Sequence, residues 1–390
     1  MHLDPHFQEF SIVILFLLFS GIVTKLLGLP NAIGFLLSGI LIGPGGLGIV
    51  DKASAINQIG SAGVVLLLFF LGLEMSPKEL VKEWKVTVLG TLVQIIVSVL
   101  FVIGIGHYLD WPLNRSILLG FVISLSSTVM VIQLLQDKKL TDTRLGKDVL
   151  GILIAQDIMV VPMLIIVGMM GDSKFEKIQF IKQIFGTILL GLIYYLLPKI
   201  NFIKGKIVDK LKDDNEIQVL FCLSFAFGIA LLSGALELST ALGAFVAGSV
   251  IAQLKLGHVF HHSLFSLKLI LNALFFSTIG LLLDINFFLN NIGSVLLLTF
   301  VAMFTNTLIN AGILIVGGRN WKNSLVASAF LSQVGEFSFI LAAIGMQQGV
   351  INEFSYQLTI FIIFISILIT PLWLKLITII SKPTNEALLS

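Results

Sequence analysis

The chain has 390 residues, 57% of them hydrophobic and only 12% charged, with a mean hydropathy of +1.04. A soluble domain carries about 25% charged residues, so composition excludes a soluble fold and predicts an all-α polytopic membrane protein. The formal net charge is +2, without a basic tail or a run of like charges, which argues against nucleic acid as a partner; the single cysteine, Cys222, excludes an intramolecular disulfide and is read as inert packing.

The first nine residues contain Asp4 and Glu9 but no Lys or Arg, unlike the basic start of a cleaved signal peptide, so the first apolar run is read as a retained helix. Thirteen apolar segments of spanning length follow one another: 10–28, 30–49, 55–73, 86–108, 114–135, 147–170, 178–199, 216–234, 239–254, 264–283, 291–317, 323–348 and 355–380. A backbone crossing lipid must satisfy its own hydrogen bonds, so each is read as a helix.

An odd number of spans puts the termini on opposite sides. Loops on the N-terminal side hold five Lys/Arg (Lys52, Arg115, Lys174, Lys177 and Lys182), and the other side holds the remaining nineteen. The positive-inside rule therefore puts the N-terminus outside and the C-terminus in the cytoplasm, as a multi-pass protein of the plasma (inner) membrane. Asn201–Asn215 is the longest polar connection, a cytoplasmic loop, and Ser381–Ser390 is a short tail. Six segments precede the seventh and six follow it, so the halves have opposite orientations, the arithmetic of an inverted repeat.

Segment two reads GFLLSGILIGPGGLG, with Gly34, Gly39 and Gly43 spaced for close helix contact and Pro44-Gly45-Gly46 ending the helix. These glycines follow no strand, and GxxxxGK[ST] is absent, so they are not a phosphate loop. Segment five carries Ser124, Ser126, Ser127 and Thr128 in ISLSSTVM. Its counterpart under the repeat is segment twelve, with Ser328, Ser332, Gln333, Gly335 and Glu336 in SAFLSQVGEF. Paired polar patches at mid-helix are expected where two broken helices meet; the competing reading is close packing, or hydroxyls bonded back to the preceding turn.

Segment six, LGILIAQDIMVVPM from Leu150 to Met163, puts Asp157 in the middle of an apolar run, preceded by Gln156 and followed by Pro162. A charge at that depth costs about 2.5–3.5 kcal/mol on insertion scales, which marks Asp157 as a functional residue. Glu336 is the second deep carboxylate, read as a structural acid pairing with freed backbone or as an ion ligand. Asn306 and Asn310 in FTNTLINAG lie one turn apart and are read as caps of broken helices or as interhelical bonds; no Lys or Arg precedes Arg319 in that helix. His258, His261 and His262 are read as a solvated cytoplasmic loop.

GFLLSGILIGPGGLG, GVVLLLFFLGLEMSPKEL, SLSSTVMVIQLL, LGILIAQDIMVVP, LSTALGAFVAGSVIA, LFFSTIGLLLDIN and LSQVGEFSFIL, taken in order, resemble successive helices of the monovalent cation:proton antiporter-2 family, closest to its Kef-type and spore-germination-type members. The resemblance implies the NhaA-like antiporter fold: thirteen helices, two inverted six-helix repeats, and helices five and twelve discontinuous where they cross. It implies a homodimer with a dimerisation panel (1–85 and 216–290), a mobile core (86–170 and 291–390), and a linker helix with its loop (171–215). It makes Asp157 the cation- and proton-binding residue, with Gln156 the residue before it. On the residues' own chemistry, Ser126, Ser127 and Thr128 are expected to complete the oxygen shell, with Asp157 and Thr128 as metal ligands and Glu336, Gln333, Asn306 and Asn310 as support. Kef-type relatives carry a C-terminal nucleotide-binding domain; this sequence ends without one, so nucleotide or glutathione gating is not expected. Electrogenic relatives place a lysine where Asn306 stands, which argues for electroneutral exchange.

Desolvation favours the protonated form of a carboxyl group and a nearby cation favours the anion, so H⁺ and Na⁺ or K⁺ compete for Asp157. If the core crosses only when Asp157 is neutralised, exchange is obligatory. No cofactor is expected, and lipid is the other partner. A gated potassium channel or uniporter and a non-transporting membrane sensor are the rival readings. HExxH and GxSxG are absent, which argues against an enzyme.

Overall fold

In a computed structural model of the chain, the structure describes residues 5–29, 31–50, 55–74, 85–141, 143–170, 177–200, 214–236, 238, 240–254 and 257–381. Most of the expected loop and tail (201–213 and 382–390), and the side chains of His258, His261 and His262, lie outside this description.

The described residues are all-helical, with no strand among them. The helices are α1 (Pro5–Leu26), α2 (Asn31–Ile42), α3 (Ala55–Glu74), α4 (Gly90–Tyr108, entered through a π-helical turn at Lys85–Leu89), α5 (Leu113–Ser124), α6 (Thr128–Asp137), α7 (Arg144–Gly168) and α8 (Lys177–Ile200). They continue as α9 (Asn215–Ala235), α10 (Thr240–Ala252), α11 (Gly257–Leu282), α12 (Ile285–Val316), α13 (Trp321–Phe330), α14 (Phe337–Gln347) and α15 (Glu353–Ser381). Six of these are long and apolar enough to cross a membrane: α4, α7, α9, α11, α12 and α15.

Each apolar segment read from the sequence holds a helix, but the helix of segment two stops at Ile42, before Pro44, and two other segments are interrupted. Segment five becomes α5 and α6, and segment twelve becomes α13 and α14. Segment eleven starts six residues early, at Ile285, because α12 bends at Asn291 (φ −123°, ψ 18°) rather than beginning there. The Asn291 amide donates to the Phe287 carbonyl at 2.8 Å, one turn back.

The chain falls into two compact units. One is drawn from Met1–Leu26, Gly34–Ser76 and Ser173–Leu282; the other from Leu27–Ile33, Pro77–Asp172 and Leu283–Ser390.

In the first unit, α3, α9, α10 and α11 pack around Phe69, Phe70, Cys222, Ala226, Ala247 and Phe260. Cys222 is a free, buried thiol in that core. In lipid, apolar side chains gain little by leaving their solvent, so helices associate through close packing. The α2–α11 contact shows this: a Cβ on Gly39 would run into the Ser277 carbonyl, and one on Gly280 into the Leu36 carbonyl. Two facing glycines thus bring the backbones together, as the spacing in segment two predicts.

In the second unit, the same order of elements occurs twice. A long helix (α4, then α12) leads to an interrupted pair (α5/α6, then α13/α14) and to a long helix with an internal proline (α7, then α15). Each proline stands eighteen residues past the start of its helix, Pro162 after Arg144 and Pro371 after Glu353. Pro162 has no N–H, so the Ile158 carbonyl loses its helical donor one residue from Asp157. Val131, Leu135, Val149, Ile152, Leu314, Phe330 and Trp373 form an apolar core in this unit.

Candidate functional site: the crossing of two interrupted helices

Both interruptions lie in the second unit. The first runs through Leu125 and Ser127, both extended (ψ 132° and 112°); the second covers Leu331–Glu336. A helix that stops inside a bilayer leaves its last four carbonyls without helical donors. At the end of α5 each of the four finds a different partner. Ser338 Oγ donates to the Val122 carbonyl at 2.7 Å, and Asn306 Nδ2 to that of Ile123 at 2.6 Å. Gln94 Nε2 donates to Ser124 at 2.7 Å, and the Gly335 N–H to Leu125 at 2.8 Å.

The second break is tied to the first. Ser126 Oγ donates to the Leu331 carbonyl at 2.8 Å, and Asn306 Nδ2 reaches the Ser332 carbonyl at 3.2 Å. A Cβ on Gly335 would overlap the Ser126 carbonyl and press on the Ser127 nitrogen, so the two breaks cross backbone to backbone.

The repeat also shows in how free N–H groups are met. In the first half the Ser126 N–H donates to Gln156 Oε1 of α7 at 3.0 Å. In the second half the Val334 N–H donates to Ser366 Oγ of α15 at 3.1 Å.

Asp157 is buried, and Thr128 Oγ1 stands 3.0 and 3.2 Å from its two carboxylate oxygens, sharing its one hydrogen between them. Thr128 is the first residue of α6. The Asp157 carboxylate thus sits at a helix N-terminus, where the backbone dipole favours negative charge. Ser127 caps α6, its Oγ accepting from the Met130 N–H at 3.3 Å. The chemistry available here is that of a hard-oxygen site: one carboxylate, hydroxyls, and carbonyls freed by unwound backbone, the donor types that suit alkali cations and protons.

The residues singled out from sequence meet in this unit but do different things. Thr128 reaches Asp157, whereas Ser126 bridges to the other break and Ser127 caps. Gln156, fully buried, faces the Ser126 N–H and Gln94. Asn306 stitches both breaks, and Asn310 Nδ2 donates back to the Asn306 carbonyl at 2.9 Å. Glu336 is half-buried at the start of α14 without capping it through its side chain. Gln333 is fully buried, and neither amide atom has a hydrogen-bond partner among the described residues.

Sequence reading missed Gln94, Ser338 and Ser366. Gln94 had a usable signal, an isolated amide in the apolar run TLVQIIVSVL. The two serines had none, since Ser in a spanning helix more often packs or bonds to its own turn. Asp148 and Arg319 were also missed as a pair.

Similarity to known proteins agrees with this geometry. The family described as "Sodium/hydrogen exchanger, transmembrane" matches residues 13–379. The chain belongs to the sodium/hydrogen exchanger family. Within it, the chain is 31% identical to K(+) efflux antiporter 5 of Arabidopsis thaliana and 29% identical to the putative cation/proton antiporter YbaL of Escherichia coli, which supports an antiporter of the cation:proton antiporter-2 type. Those matches cover 95% and 94% of this chain but 66% and 67% of the relatives. The iron transporter MagA of Paramagnetospirillum magneticum is 31% identical over 95% of this chain and 85% of its own length. The fold matches that of the sodium proton antiporter MjNhaP1 from Methanocaldococcus jannaschii at pH 8, with a TM-score of 0.67, 16% identity, and coverage of 99% of this chain and 100% of that one.

Proposed function

We propose that this protein exchanges a monovalent cation, Na⁺ or K⁺, for a proton by alternating access, with both ligands competing for Asp157. The observation that carries this reading is the contact of Thr128 with Asp157 beside the crossing of two interrupted helices. Family membership and the antiporter names of two relatives support it. Counting each interrupted pair as one crossing reads the fifteen described helices as thirteen spans, with the N-terminus outside and the C-terminus in the cytoplasm. The second unit is the moving core and the first a dimerisation panel of a plasma-membrane homodimer. Asp157 and Thr128 bind the ion, and Ser126, Ser127, Asn306, Asn310, Gln333 and Glu336 hold the crossing. One carboxylate binding the ion, Asp157, with Asn306 in place of a lysine, makes the exchange one for one and electroneutral.

The test is a pH-jump flux assay on purified protein in proteoliposomes with Li⁺, Na⁺, K⁺, Rb⁺ and Fe²⁺. Wild type should couple alkali-cation movement to proton counterflow, and Asp157→Asn should abolish it while remaining folded. Exchange in Asp157→Asn would remove that residue from the mechanism. Cation flux without proton counterflow would favour a channel, no flux at all a sensor, and Fe²⁺ outpacing every alkali cation a different cargo. A steep response to membrane potential would contradict electroneutrality.

A further inference from the structure

Gln94 and Gln156 form a chain of hydrogen bonds whose polarity is forced at both ends. The Ser126 N–H can only donate, so Gln156 must present its carbonyl to it, at 3.0 Å. Its amide nitrogen then faces outward and meets Gln94 Oε1 at 2.8 Å. Gln94 in turn points its nitrogen at the Ser124 carbonyl, which can only accept, at 2.7 Å. The chain starts on one backbone group and ends on another two residues away, spanning the interruption between α5 and α6. Both glutamines are fully buried, so neither has water to replace a lost partner. Turning either amide over would set like groups against each other.

We infer that Gln94 and Gln156 are positioning residues for the cation site: together they fix the break relative to α7, and so the distance from Thr128 to Asp157. This rests on the proposed role of Asp157. Gln156 immediately precedes Asp157 on α7, and Ser126 lies two residues before Thr128. The Gln156–Ser126 bond thus ties the two strands of chain that carry the contact between Thr128 and Asp157. Gln94 keeps that bond oriented, because it alone among the described residues accepts from the Gln156 nitrogen. Gln156 consequently acts through the backbone and not as an ion ligand, and Gln94 influences an ion it never touches. The second repeat meets its free N–H with a hydroxyl, Ser366, and needs no such relay.

The test measures cation-induced thermal stabilisation of the purified protein, titrating Na⁺ and K⁺ separately, for wild type, Asp157→Asn, Gln94→Leu and Gln94→Asn. The asparagine variant keeps a polar side chain but is too short to reach both partners, and it stands in for the leucine variant if that one does not fold. Positioning predicts that the half-saturating cation concentration rises by about fivefold in each Gln94 variant, the equivalent of one neutral hydrogen bond, and that the Na⁺/K⁺ ratio shifts. Packing alone would lower the melting temperature in the absence of cation and leave half-saturation and the ion ratio at wild-type values; that result overturns the inference. Cation-induced stabilisation that persists unchanged in Asp157→Asn would instead overturn the proposed site.

Discussion

Arg319 clasps Asp148 through two hydrogen bonds, Nε to one carboxylate oxygen at 2.6 Å and a terminal nitrogen to the other at 2.7 Å. The side chains are 13% and 8% exposed. Asp148 stands in the second turn of α7 and Arg319 just beyond the end of α12, so the pair joins the two repeats of the second unit away from the crossing. Removing one partner strands the other charge in a poorly solvated place. Asp148→Asn should therefore cost on the order of 3 kcal/mol, and the double variant Asp148→Leu/Arg319→Met should recover most of it. Thermal unfolding in detergent measures both. Equal destabilisation of the single and double variants would show that the loss does not come from a stranded charge.

Gly335 is where the two interruptions touch. The atoms a new Cβ would strike are the Ser126 carbonyl and the Ser127 nitrogen, backbone that cannot rotate out of the way. Overpacking of this kind costs about 1–3 kcal/mol, here concentrated on the residues beside Thr128. Gly335→Ala should lower exchange by more than it lowers the melting temperature would suggest. Flux and unfolding measured on one preparation decide this.

Asn306 donates one amide nitrogen to carbonyls from both broken helices. Asn306→Ala leaves the Ile123 and Ser332 carbonyls short of a donor in a buried setting, at about 1–3 kcal/mol for each such group. Its melting temperature should fall below that of Asn306→Lys, which keeps donors in reach. The lysine variant also tests electroneutrality: a response of exchange to membrane potential that appears only in Asn306→Lys supports the proposed stoichiometry.

Thr128→Val keeps the shape of the side chain and removes the hydroxyl that meets the carboxylate. Hydrogen bonds to charged groups contribute about 1.5–3 kcal/mol, so the apparent cation affinity in a flux assay should change by at least tenfold. Thr128→Ser should stay near wild type. Indifference to both changes would leave Asp157 without this partner in the working protein.

Composition and periodicity alone determined the membrane setting, the helical class, the place of each apolar segment and the isolation of Asp157. Each is a local property: a long apolar run must be helical in lipid, and an acid inside it is costly wherever the helix packs. The paired polar patches around Ser126 and Ser332 also pointed to the interruptions, because hydroxyls cluster where backbone needs partners. Which hydroxyl does what was not legible. Ser126, Ser127 and Thr128 are neighbours of similar chemistry, yet one bridges to Leu331, one caps α6 and one meets Asp157. That assignment depends on the direction of each side chain from an extended backbone, and on elements up to about 200 residues away in sequence. Gln94 and Arg319 acquire their partners by the same long-range route. Only the tertiary structure brings Gln94 to Gln156, or Asp148 to Arg319, since no spacing along the chain encodes a contact between helices from different parts of it.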